Sequence, residues 1–483
     1  MDFGKGGFMG DKISSVKTKQ KELFGHPIGL YVLFFTEMWE RFSYYGMRAI
    51  LVLYLVATAK EGGLGWTNAQ ALQLYGTYTM LVYLMSVPGG IIADRLLGQK
   101  KCVFFGGVLL VAGHSLLAYQ APWAFYTALA LIILGVGMLK PNISTMVGGL
   151  YGSSDTRRDA AFTIFYMGIN VGAFFASLIV GYVGERIGWH YGFALAGIGM
   201  ALGQVVFVWG QKHLRHVGNI ERATPTLGTP NALAAPKRPF TKYEKDRIKV
   251  LLISFLIVIV FWASYEQAGG FLNLYAEKFT NRYLFGWQVP ASWFQSLNPI
   301  FILVFGGVIA AIWTWMGKRN KEPSAIFKMG LGTVIMGLGF VLMIGSALQK
   351  FSSSSGLSNM GWLVGAYWFH TIGELALSPV SLAYITKISP KRITSSMMGL
   401  YFAATGVANK FAAELGSLSG KLGALGVFIL ISCISIGFGL LLIFFTRPIN
   451  RLAHEESLAE EMAAEERTII IETEAEPVRA SNL

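Results

Sequence analysis

Apolar residues run along this chain in blocks of about 20 positions separated by short charged breaks, the length a helix needs to cross roughly 30 Å of hydrocarbon. Reading blocks against breaks predicts spans at 28–57, 70–96, 101–119, 122–148, 160–184, 190–211, 248–275, 292–316, 324–348, 360–386, 392–419 and 423–446. Twelve spans make an all-α polytopic membrane protein. An even number puts both termini on one side, and the basic residues say which. Lys12, Lys17, Lys19 and Lys21 precede the first span, and Arg95, Lys100 and Lys101 follow the second. Arg157 with Arg158, Lys318 with Arg319 and Lys321, and Lys387 with Lys391 and Arg392 fall on the same side. The opposite loops hold little beyond Lys60, Lys350 and Lys421. Both termini are expected in the cytoplasm.

The longest polar interruption, rich in Pro, Ala, Lys and Arg, divides the spans into two sets of six. The expected organisation is a cytoplasmic segment 1–27, a six-helix bundle 28–212, a cytoplasmic linker 213–247, a second six-helix bundle 248–446 and a Glu-rich cytoplasmic tail 447–483. Composition agrees: 53% of the 483 residues are hydrophobic and 14% charged, where a soluble domain carries about 25% charged. A soluble enzyme and a β-barrel are both excluded. The net charge of +13 sits in loops between apolar blocks, so it points to the lipid bilayer and not to nucleic acid. Two cysteines and seven scattered histidines show no metal-ligand spacing, and no metal or other cofactor is expected. No cleavable leader is visible before the block that begins near Ile28.

Two six-span bundles joined by a cytoplasmic linker resemble the major facilitator superfamily, which handles its solute near the midplane between the bundles. The run from Gly90 through Asp94, Arg95, Gly98, Lys100 and Lys101 is similar to that superfamily's cytoplasmic loop motif. Its glycines would let helices approach closely, and Asp94 with the basic residues could pair across helix ends. The bland alternative is a merely basic inner loop.

Ionisable residues inside spans carry the functional signal, because a charge at mid-membrane costs about 2.5–3.5 kcal/mol even on insertion scales. In the first span Glu37, Arg41, Tyr44, Tyr45 and Arg48 fall at helical spacing along one stripe, with Glu40 beside it. They must face a protein interior or a wet cavity. Either a structural ion-pair network or a site shared by a zwitterion and a proton would account for them. Lys140, within span 4 beside Pro141, needs an acid, and Glu374 in span 10 is the partner at matching depth. The alternative is that Lys140 snorkels to the inner interface. Glu266 sits deep in span 7, about 25 Å from Lys249 at 1.5 Å per residue, with no basic residue within one helical turn. It reads as an acid able to take up a proton, or as a permanently protonated structural group.

The first-span run Glu37-x-x-Glu40-Arg41-Phe42-x-Tyr44-Tyr45 resembles the signature of the proton-dependent oligopeptide transporter family, within the same superfamily. Lys140-Pro141-Asn142, the stretch from Phe165 and Tyr166 to Asn170 and Gly172, Phe261-Trp262 with Tyr265-Glu266-Gln267, and Gly373-Glu374-Leu375 with Ser378-Pro379 are similar to further motifs of that family, in both halves. The resemblance implies inward symport of di- and tripeptides with protons, in the cytoplasmic (inner) membrane, by alternating access and without enzymatic chemistry. It implies Glu37, Glu40, Arg41, Lys140 and Glu266 as the proton-coupling residues. It implies a peptide site of Arg41, Tyr44, Tyr45, Arg48, Tyr83, Lys140, Asn170, Trp262, Asn298, Glu374 and Ser378. Gating falls to Lys140 with Glu374 on the inner side and to the i, i+4 pair Lys410 and Glu414 on the outer.

Two departures from the family's range are visible. No apolar block in 213–249 is long enough for an added pair of helices, and no histidine lies between Asn68 and Arg95. The second throws proton handling onto carboxylates. The nearest rival is the same fold moving nitrate, an amino acid or a peptide-like drug.

Overall fold

The structure, a computed structural model, describes residues 21–152, 155–219, 240–390 and 393–454. Lys12, Lys17 and Lys19, the run from Thr224 to Pro239, Lys391 with Arg392, and the tail glutamates from Glu455 onward lie outside those residues. The first half of the chain forms α1 (Ile28–Val56), α2 (Asn68–Ile92), α3 (Gln99–Leu117), α4 (Pro122–Gly149), α5 (Arg158–Arg186) and α6 (Trp189–Gly210). The second forms α7 (Lys242–Tyr265), α8 (Phe271–Phe279), α9 (Leu297–Gly317), α10 (Ala325–Ser352), α11 (Gly361–Ile388), α12 (Thr394–Ser417), α13 (Ser419–Phe444) and α14 (Thr446–Ala453). Strands are two-residue pieces in the connections, such as the hairpin of Glu22–Leu23 with His26–Pro27.

Among the described residues, nine helical stretches are long and apolar enough to cross a membrane. The long helices outside that set are α1, α11 and α12. They are the ones that carry Glu37, Glu40, Arg41 and Arg48, then Glu374, then Lys410 and Glu414. The α1 charges are withdrawn from solvent and lipid alike: Glu37, Glu40, Arg41 and Arg48 are all buried.

Packing follows the halves of the chain. Helix α1 lies against α5 and α6, α3 against α4 and α6, and α2 against α4. In the second half α10 lies against α11 and α13, α12 against α7, and α9 against α11. The two groups meet chiefly along α2 with α12 and α5 with α9. Small residues set how near helices come. Pro141 inside α4 cannot donate to the carbonyl of Gly137, and that oxygen presses on Gly89 of α2, where a Cβ would come within 1.9 Å of it.

Several elements differ from the sequence reading, each for a local reason. Span 7 is not continuous: α7 ends at Tyr265, a 3-10 turn covers Glu266–Ala268, and α8 restarts at Phe271 after the pair Gly269-Gly270. Helix α7 starts inside the expected linker, at Lys242, because Thr241 and Glu244 form a reciprocal cap: Thr241 N donates to Glu244 Oε2 at 2.8 Å and Glu244 N to Thr241 Oγ1 at 3.2 Å. The expected tail opens with α14. In the loop after α2 the close approach falls on Gly89, whereas a Cβ at Gly90 would meet open space. Asp94 is exposed and forms no ion pair among the described residues; Lys100 Nζ instead donates to Asn219 Oδ1 at 3.2 Å.

Candidate functional site

A cavity opens between the two groups of helices, with about 230 Å³ available to the centres of water molecules. Its wall comes from α1, α2 and α5 on one side and from α7, α9 and α11 on the other. Of the residues expected in the site, Tyr45, Arg48, Tyr83, Asn170, Trp262, Glu266, Asn298, Glu374 and Ser378 line it. Glu37, Glu40, Arg41, Tyr44 and Lys140 stand behind that wall, and Lys410 and Glu414 lie away from it.

The α1 stripe is local helix geometry realised. Arg41 Nε donates to Glu37 Oε1 at 2.7 Å across one turn, and its Nη2 is also 2.7 Å from the same oxygen. Arg41 Nε lies 3.0 Å from Glu40 Oε2 as well, so one guanidinium serves two acids. Lys140 supplies the second positive charge: its electrostatic neighbours include Arg41, Glu40 and Glu37. Its ammonium rests over the Tyr83 ring, 4.1 Å from the centroid, a position the quadrupole of the ring favours.

Arg48, one turn further along than Tyr44, pairs with Glu266. Its Nε and Nη2 also donate to the Tyr75 hydroxyl at 2.9 and 2.5 Å, and it lies 5.5 Å from the Tyr44 ring centroid and 5.6 Å from that of Tyr45. The isolation expected for Glu266 is therefore corrected: no cation lies near it along its own helix, but α1 brings one from 218 residues away.

Glu374 differs from the other acids. Asn298 Nδ2 donates to its Oε2 at 2.7 Å and to Thr371 Oγ1 at 3.1 Å, yet Glu374 has no ion-pair partner among the described residues. The expected Lys140–Glu374 pair is not made here. The reason is geometric: Lys140 is held beside the α1 acids and Tyr83, while Glu374 is held on the opposite wall by Asn298. Asn170 is buried on α5, donating to the Tyr166 carbonyl at 3.0 Å.

One end of the cavity is sealed. Side-chain hydrogen bonds and ion pairs between the two groups gather at the end that carries residues 48–77, 174–186, 266–296 and 410–417. There Lys410 Nζ donates to Gln73 Oε1 at 2.5 Å and to Thr77 Oγ1 at 3.2 Å, and Gln73 Nε2 donates to Glu414 Oε2 at 2.8 Å. Lys410 and Glu414 are 3.4 Å apart, as their spacing predicts. Asn273 Nδ2 reaches the Ala49 carbonyl at 2.8 Å. Tight contact reinforces the seal: a Cβ on Gly76 would fall 2.3 Å from that of Ala413.

Sequence reasoning missed Tyr75, Tyr166, Tyr265, Gln295 and His370, which line the cavity or hold a group that does. Tyr166 and Tyr265 lay inside runs singled out above. Tyr75, Gln295 and His370 carried no local signal. Among the described residues no cluster of three His, Cys, Asp or Glu could hold a metal, and Cys102 and Cys433 are both free thiols.

With this geometry in hand, comparison with known proteins is specific. A family model described as the POT family (PTR2) matches residues 100–239 and 237–423. An uncharacterized transporter, YclF, of Bacillus subtilis (strain 168) is 37% identical over 91% of this chain and 98% of its own length. A di-/tripeptide transporter of Lactococcus lactis subsp. cremoris is 36% identical over 91% of this chain and 99% of its own. A crystal structure of a peptide transporter POT in complex with sulfate superposes with a TM-score of 0.83 at 37% identity, covering 90% of this chain and 97% of that one.

Proposed function

This chain belongs to the POT family, and from that premise we propose that it carries di- and tripeptides into the cell together with protons by alternating access. The observation that carries the reading is the charge layout around the cavity. Arg41, Arg48 and Lys140 come from the first half of the chain, and a carboxylate without a cation, Glu374, comes from the second. A peptide offers the complement: a carboxylate for the basic side, through the paired hydrogen bonds that guanidinium forms, and an ammonium for Glu374 with Asn298 and Asn170. Tyr45, Tyr83 and Trp262, with Tyr44 behind them, give walls whose packing is less directional than hydrogen bonding and tolerates varied side chains.

The membrane arrangement we propose has twelve spans, α8 and α14 being extra, in two six-helix bundles with both termini in the cytoplasm of the inner membrane. The sealed end is then the outer one, and the structure is inward-facing. Glu37, Glu40 and Glu266 are the acids that bind protons. A proton on Glu266 would release Arg48, and a Lys140–Glu374 pair would form as the inner side closes. Each proton entering down 100 mV contributes about 2.3 kcal/mol, close to fifty-fold accumulation of a neutral zwitterion.

The test is uptake of labelled di- and tripeptides into proteoliposomes under an imposed proton gradient. Saturable uptake that a protonophore collapses, and that unlabelled dipeptides compete, is the expected result. Driven uptake indifferent to dipeptides would assign the machinery to another solute such as nitrate, an amino acid or a peptide-like drug.

A further inference from the structure

Beyond the cavity, α5 runs along residues 288–296 in a seam that none of the roles above uses. Successive turns of α5 supply its rungs. Ser296 Oγ donates to the Phe174 carbonyl at 3.1 Å, and Trp293 Nε1 to the Leu178 carbonyl at 2.9 Å. Gly181 comes next, so close to Ser292 that a Cβ there would sit 2.1 Å from the serine oxygen. At the far end Glu185 accepts from three donors: the N–H groups of Ala291 and Ser292, each at 2.8 Å, and Ser292 Oγ at 2.5 Å. Arg282 stands 3.8 Å from the same carboxylate, and the adjacent Arg186 donates to Gln288.

The rungs are not equal. The α5 carbonyls of the first two lie within its own helical ladder, so parting from a side chain leaves them a partner. The N–H groups of Ala291 and Ser292 open the 3-10 turn Ala291–Ser296 and have no acceptor inside it. A carboxylate bonded to such donors is the strong kind of hydrogen bond. Opening the outer side must therefore undo a contact whose donors have no substitute inside the turn.

We propose that Glu185 is the latch of the outer seam: its release from Ala291 and Ser292 precedes outward opening and sets the balance between inward- and outward-facing states. Glu185 is a positioning residue and touches no solute. The inference rests on the alternating-access reading above but not on which solute is carried.

Two measurements decide it. In cells carrying Cys102→Ser, Cys433→Ser and the cavity reporter Ala173→Cys, a membrane-impermeant maleimide added outside reads outward exposure. Glu185→Ala is expected to raise the labelling rate about tenfold, the factor that loss of a net hydrogen bond to a charged group implies. Equal rates in the variant and its parent, both monodisperse after extraction, overturn the proposal. Should Glu185→Ala fail to fold, Glu185→Gln decides instead: it keeps the length of the side chain and one accepting oxygen but removes the charge, and its labelling rate is expected to rise above the parent's. A labelling rate in Glu185→Gln no higher than the parent's overturns the latch. Driven uptake that dipeptides do not compete removes the solute assignment and leaves the labelling result to stand.

Discussion

Arg48 of α1 and Glu266 at the end of α7 form a buried ion pair that joins the two halves of the chain at the cavity wall. Removing one member of a buried pair typically costs about 3–5 kcal/mol, because the other is left as an uncompensated charge. Anything that neutralises or displaces one member of this pair therefore acts on closure itself. Tyr75 keeps the guanidinium hydrogen-bonded when the carboxylate leaves it, which makes the pair separable without stranding Arg48.

Glu266→Gln keeps the size and hydrogen-bonding capacity of the side chain but removes the carboxylate charge. Proton-driven uptake in proteoliposomes is expected to fall to background, with part of the counterflow retained because exchange needs no net proton movement. Full driven uptake by the variant would show that Glu266 is not a coupling acid.

The α2–α4 contact at Gly89 has no room for a methyl group, since the obstructing atom is the backbone oxygen of Gly137. Gly89→Ala must push the helices apart, and overpacking of this kind costs about 1–3 kcal/mol. A lower melting temperature in detergent is expected for Gly89→Ala, while Gly90→Ala, where the space is open, leaves it unchanged. Equal melting of both variants would contradict the packing described.

The hairpin of Glu22–Leu23 with His26–Pro27 is tied down by Arg157, whose Nη1 donates to Glu22 Oε1 and to the Gly25 carbonyl, both at 2.9 Å. Asp155 orients that arginine, and the hydrogen bonds from Arg157 hold its carboxyl down to about 2. A depressed carboxyl stabilises above its ordinary range, and the effect disappears only as pH falls through about 2. At neutral pH, protease cleavage within residues 22–27 is expected to be slow and to accelerate in Arg157→Ala. Equal cleavage of the parent and Arg157→Ala would break the assignment.

How much of this was readable beforehand depends on where each partner lies along the chain. Arg41 with Glu37, and Lys410 with Glu414, follow from a spacing of four on a helix, and both pairs form. Charges in an apolar block cannot face lipid, so the burial of Glu37, Glu40, Arg41 and Arg48 was also legible. The partner of Glu266 was not, because nothing near it in sequence encodes a contact with Arg48. Depth matching placed Lys140 opposite Glu374, yet depth says nothing about which conformation brings them together, and here each has other neighbours. Only the folded chain distinguishes Gly89 from Gly90, since one extra residue turns a helical position through about 100°.

Glu374 offers the sharpest test of the peptide reading, because it is held by Asn298 while lacking a cation. If a peptide ammonium supplies the missing charge, an N-acetylated dipeptide loses that contact and should compete poorly for uptake. A hydrogen bond to a charged group contributes about 1.5–3 kcal/mol net, or roughly ten- to a hundredfold in apparent affinity. In Glu374→Gln the free and acetylated peptides should bind nearly alike, since glutamine cannot pair with the ammonium charge. The comparison forms a double-mutant cycle, with the acetyl group as one change and the side chain as the other, so general damage to the cavity cancels. A tenfold preference for the free amine that persists in Glu374→Gln would remove Glu374 from the peptide site.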